Sequence, residues 1–213
     1  MKNRLRHLLC PTQGMTGRLA LLAFLLVLAE LLLILASWLL SAMPTVHVRS
    51  LLSSEGVRWL MGHIAESLST PILAWILLLG MGYGCLRRSG LLTSFSVPRA
   101  SLPHRTRIAQ WSLFAFLIAY VVVILLLTAV PHAILLSATG QLFPSPFSAS
   151  IVPVVAFGVT MGSIIFGVMS GHFSTFSNIY ESLVSGLRSV APIILFYLLI
   201  IQLFFTAAFA FLF

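Results

Sequence analysis

From Leu19 to Leu40 a single residue, Glu30, carries a charge, and the other positions are apolar or small. A helix of that length rises about 1.5 Å per residue and matches the roughly 30 Å hydrocarbon core of a bilayer. Further apolar runs follow at about 71–86, 108–130, 151–169 and 191–213, the third ending at Pro131 and the second shorter than the others. With 60% hydrophobic and 8% charged residues, a soluble domain of 213 residues could not bury this much apolar surface. The expected fold is therefore an all-α integral membrane protein, a single transmembrane domain over 1–213 with about five transmembrane helices. The net charge of +8 does not indicate nucleic-acid binding, because the arginines flank apolar runs and form no soluble basic face.

The placement of positive charge orients the spans. Lys2, Arg4, Arg6 and Arg18 precede the first, Arg87, Arg88, Arg99, Arg105 and Arg107 follow the second, and Arg188 follows the fourth. The opposite side has only Arg49 and Arg58, and the segment 136–148 is uncharged. The positive-inside bias predicts a multi-pass protein of the cell (inner) membrane, with a cytoplasmic N-terminus and an external C-terminus. The first apolar run exceeds the roughly 7–15 residues of a signal-peptide core, so it reads as a retained helix. Cys10 and Cys85 both fall on or near the predicted cytoplasmic side, which argues against a disulfide. Leu8-Leu9-Cys10 lacks the preceding apolar run of an acylation signal.

Two segments are amphipathic. Over about 55–68, Val57, Leu60, Met61, Ile64 and Leu68 share one helical face, opposite Glu55, Arg58, His63 and Glu66. Ser53 or Ser54 can cap this helix, and Trp59 suits the membrane interface. Over about 173–190, Phe176, Tyr180, Leu183, Leu187 and Val190 form one face and Ser177, Asn178, Glu181, Ser185 and Arg188 the other. Each segment leads through a proline, Pro71 or Pro192, into an apolar span, and each proline reads as a helix start. The first unit enters from outside and the second from inside, which makes them a candidate inverted repeat. Any interfacial helix followed by a span would look the same, and such helices can also simply bind lipid headgroups.

Glycines four apart mark faces where helices can approach closely: Gly80 with Gly84, Gly158 with Gly162, and Gly167 with Gly171, the latter two pairs forming a strip with Ser163. Glu30 lies in the middle of the first span, where a carboxylate is costly and faces a partner, a cavity or an ion path. It is a candidate for proton or sodium coupling, with a paired structural role as the alternative. Gln202 is a candidate for a polar path or for a bond to a neighbouring helix. His63 and Glu66 are three apart but lack a third ligand, so no metal site is expected, and no cofactor beyond a coupling proton or sodium ion. The chain has no aspartate, no Gly-x-Ser-x-Gly, no HExxH and no phosphate-binding loop, and an enzyme is not expected.

The order of these features resembles the p-aminobenzoyl-glutamate transporter (AbgT) family of bacterial inner-membrane proteins. The resemblance rests on Glu55-Gly56-Val57-Arg58-Trp59-Leu60, Pro71, and Met81-Gly82-Tyr83-Gly84-Cys85-Leu86-Arg87-Arg88-Ser89-Gly90-Leu91-Leu92. Within the last segment Gly82, Gly84, Ser89, Gly90, Leu91 and Leu92 carry the motif. Ser150-Ile151-Val152-Pro153, the glycine-rich fourth span, Ala191-Pro192 and Gln202 then fall in the family's order. Family members are longer and carry Ala-Ser-Asp-Ala-Gly-Tyr and Gly-Gly-Phe-Ser-Ala-Asn hairpins and an Asn-rich segment after the glutamine. None of these is present, and Arg87 replaces the family's glutamate. The resemblance implies a shortened member without the substrate-binding hairpins. It would be a reduced transporter, ion-coupled, for a small aromatic or amino-acid-conjugate anion. It would sit in the lipid bilayer as a homo-oligomer or with a partner membrane subunit. The alternative is a non-transporting scaffold.

Overall fold

The computed structural model describes residues 15–43, 48–97, 102–129 and 146–211. The basic N-terminal tail with Cys10 and His7, and also His47, Arg99, His132 and most of the uncharged loop, lie outside them. Among the described residues there are seven helices: α1 (Met15–Ser41), α2 (Ser54–Leu68), α3 (Pro71–Arg88), α4 (Leu91–Ser96), α5 (His104–Ala129), α6 (Pro146–Ser170) and α7 (Phe176–Phe211). The protein is all-α, as the apolar runs require. Among the described residues four helices, α1, α5, α6 and α7, are long and apolar enough to cross a membrane. Leu21, Leu22, Phe24, Leu25, Leu31, Leu32 and Leu35 of α1 are all exposed, so α1 presents a broad apolar face of the kind that lipid can solvate.

The run at 71–86 is α3, whose 18 residues end in Arg87 and Arg88. It is helical as expected, and its length of about 27 Å falls just short of a full hydrocarbon crossing. The fifth span and the second amphipathic segment are not two elements. They form the one continuous 36-residue helix α7, with Pro192 inside it. Pro192 lacks the amide that would bond the Arg188 carbonyl, which reads in sequence as a helix start. Inside a membrane helix such a proline is tolerated, because neighbouring groups and local adjustment satisfy the freed carbonyl. At about 54 Å, α7 exceeds the hydrocarbon thickness, which leaves length for its polar first half beyond a crossing.

The chain divides into two compact units, 1–73 with 191–213, and 74–190. In the first, Leu51, Phe209 and Ala210 are buried, with Leu33, Ile34, Val48 and Trp59 packed around them. Trp59 of α2 stacks on Phe209 at 4.5 Å, and the Arg49 amide donates to the Ala210 carbonyl at 3.2 Å. The segment before α2 is tied to α1 by the Leu51 amide, which donates to the buried Ser37 hydroxyl at 3.3 Å. Ser53 caps α2, its Oγ accepting from the Gly56 amide at 3.0 Å. Val57 and Met61 of α2 are exposed. Thr70 and Tyr197 are joined through their hydroxyls.

In the second unit α5 and α6 form a hairpin around Ala109, Leu113 and Phe166. The Tyr120 ring fills the space over Gly158, and its hydroxyl donates to the Val154 carbonyl at 2.7 Å. Leu113 and Phe116 cover Gly162.

Candidate functional sites

The predicted polar residues of the first unit meet at one threonine. Thr206 is fully buried. Its hydroxyl has a single proton and three oxygens within reach: Glu30 Oε2 at 3.2 Å, the Gln202 carbonyl at 3.0 Å and the Leu203 carbonyl at 3.0 Å. Glu30 on α1 is thereby paired with α7 at depth. Gln202 contributes its backbone carbonyl to the arrangement. Thr206 was not singled out in the sequence, although its position one turn beyond Gln202 puts both on one face of α7.

The glycine pattern Gly80-Met81-Gly82-Tyr83-Gly84 works in two directions within the second unit. Gly80 faces Val190 and Gly84 faces Ser182 and Gly186, all on α7, while Gly82 faces Thr160 and Ala156 on α6. A Cβ on Gly84 or Gly186 would overlap the backbone of the other helix, so the α3–α7 contact is closed to any larger residue. Beside it, Ser182 donates to the Ile179 carbonyl at 2.7 Å. The Cys85 thiol, 3.2 Å away and buried, is then left to donate to Ser182 Oγ.

Gly167 and Gly171, expected on a helix-packing face, serve a chain reversal instead. Gly171 has φ 88° and ends α6. The chain then folds back so that the Phe173 ring covers Gly167 and the Phe173 amide donates to the Gly167 carbonyl at 2.9 Å. The rest of the Ser-Gly-Leu-Leu motif is a second reversal. Ser89 is buried and accepts from the Leu91 amide at 3.3 Å. Gly90, with φ 73°, starts α4 against the His172 ring. Leu91 packs on the α5–α6 core, and Leu92 is exposed. His63 stacks on Trp59 at 5.0 Å, and no three His, Cys, Asp or Glu converge among the described residues.

A groove of about 670 Å³ opens alongside the glycine contact, lined by Tyr83, Arg87 and Arg88 from α3 and Tyr180, Glu181, Ser185, Arg188 and Ser189 from α7. Arg88 pairs with Glu181 at 3.4 Å, with the side chains 47% and 57% exposed. A pair this open contributes at most about 1 kcal/mol. In the sequence Arg87 and Arg88 stand out as topological markers within the family-like segment, and Arg188 as a marker on the polar face of its helix, with nothing that brings the three together. Their convergence follows from α3 and the first half of α7 running antiparallel at close approach.

No family model, no curated protein and no solved structure matches this chain. The fold and composition define an all-α multi-pass membrane protein.

Proposed function

We propose that this chain is a non-transporting membrane scaffold or partner subunit. The observation that carries this reading is the state of Glu30. A coupling carboxyl should face a cavity beside a broken helix, whereas Glu30 is paired to Thr206 on an unbroken α7. The closed Gly84–Gly186 contact supports the same reading, because it fits a fixed helix interface better than a sliding one. In this role the protein resides in the bacterial inner membrane with its N-terminus in the cytoplasm. It assembles with itself or with another membrane subunit.

The groove supports a second reading, a reduced AbgT-like transporter, coupled to protons or sodium, for a small aromatic or amino-acid-conjugate anion. Arginines beside Tyr83 and Tyr180 suit a ligand with both an aromatic ring and a carboxylate.

Uptake of labelled p-aminobenzoyl-glutamate into proteoliposomes of the purified protein, with and without proton and sodium gradients, separates the two. The scaffold reading expects flux no higher than in empty liposomes. Gradient-driven uptake that Glu30→Gln abolishes would overturn it in favour of the transporter.

A further inference from the structure

The groove holds more positive charge than its fold uses. Three arginines meet one carboxylate, Glu181, and that carboxylate is engaged by Arg88. Among the described residues Arg87 and Arg188 make no ion pair. The two serines of the groove spend their protons on their own helix, Ser185 on the Ser182 carbonyl at 2.8 Å and Ser189 on the Ser185 carbonyl at 3.0 Å. The donors left in the groove lining are thus the guanidinium N–H groups, whose planar fork matches a phosphate or carboxylate edge, and the hydroxyls of Tyr83 and Tyr180.

Depth and direction narrow the ligand. Arg188 lies seven residues along α7 from Glu181, about 10 Å further from the helix start. On α3, Leu79, Tyr83 and Arg87 follow one another at four-residue spacing, so one face passes from aliphatic to aromatic to cationic. Leu79 and Tyr83 are both exposed. That sequence of surfaces matches a molecule with an acyl chain, an interfacial region and an anionic head. The charge bias of the chain assigns this end to the cytoplasmic side, where basic pockets between helices bind anionic headgroups. The groove also lies in the usual size range of small-ligand sites.

We propose that the groove between α3 and the first half of α7 is a binding site for a phosphate-bearing anion. Arg87 and Arg188 grip the phosphate, and Glu181 acts as a competing internal anion on Arg88. The same chemistry is offered by an anionic glycerophospholipid and by free phosphate or a small phosphate ester. The site goes beyond the scaffold reading and does not depend on it.

The test uses the full chain, delipidated in neutral detergent. Its thermal midpoint is followed by tryptophan fluorescence with added phosphatidylglycerol, phosphatidylcholine, inorganic phosphate or glycerol phosphate. Each variant is compared with itself in phosphatidylcholine, so a change in its own stability cancels. Phosphatidylglycerol should raise the midpoint above phosphatidylcholine, and each of Arg87→Gln and Arg188→Gln should weaken apparent affinity by about fivefold. Raised salt should weaken it further. Glu181→Gln should tighten binding, a gain that misfolding does not mimic. Stabilisation by phosphate or glycerol phosphate, with phosphatidylglycerol no better than phosphatidylcholine, would identify a soluble ligand of the same site. The proposal is overturned if no anion stabilises the protein, if the double arginine variant keeps the full shift, or if Glu181→Gln weakens binding.

Discussion

Gly80 with Gly84 and Gly167 with Gly171 have the same spacing and serve different ends. The first pair lies mid-helix on α3 and admits α7 to backbone contact, with Gly186 as the reciprocal small residue. The second pair sits where α6 ends. Gly171 supplies the left-handed φ of the reversal, and Gly167 makes room for Phe173, six residues on. Four-residue spacing says only that two small residues share a helix face. What lies over that face, another helix or the chain's own return, depends on where the helix stops.

The sharpest way to break this comparison is to add bulk where backbone opposes backbone. Gly84→Val should be the most damaging change, at about 3 kcal/mol or more, because neither helix has a side chain that can move aside. Loss of the thermal unfolding transition in detergent, or a large fall in its midpoint, is the expected outcome. A midpoint within a few degrees of the parent would mean that the α3–α7 contact is not closed.

A smaller effect should mark the reversal. Gly171→Ala places a Cβ in a left-handed conformation that costs roughly 1–2 kcal/mol, while Gly171→Asn should recover much of that loss, since asparagine tolerates this region. Equal damage from both variants would point to crowding instead of backbone conformation. The least change, with opposite sign, is expected at Gly62 in α2, where a Cβ would meet nothing within 4 Å. Gly62→Ala should stabilise by roughly 0.5–1 kcal/mol through backbone entropy alone. A lower midpoint there would mean that this face of α2 is covered in the membrane.

Much of the architecture was legible in advance because membrane spans are written in uninterrupted apolar runs. α1, α5 and α6 coincide with three such runs to within a few residues at their described ends. The pairing of Gly80 and Gly84 with a neighbouring helix was legible as well. Pro192 misled, since a proline that begins a helix and one that a membrane helix carries in its interior look alike in sequence. The groove was not legible. Arg87 and Arg188 are about a hundred positions apart, and each taken alone reads as a charge at the end of a span.

The sequence by itself determined that this chain is helical, that it belongs in a bilayer, and that a carboxylate at position 30 needs company at depth from a partner, a cavity or an ion path. Those conclusions follow from local composition and from the cost of polar groups in hydrocarbon. Only the tertiary structure decided that the company is Thr206, that α7 continues through its proline, and that three arginines share a groove with one glutamate. Each of these depends on which helix faces which. That is set by shape and close packing between residues far apart in the chain, and no periodicity within one segment records it.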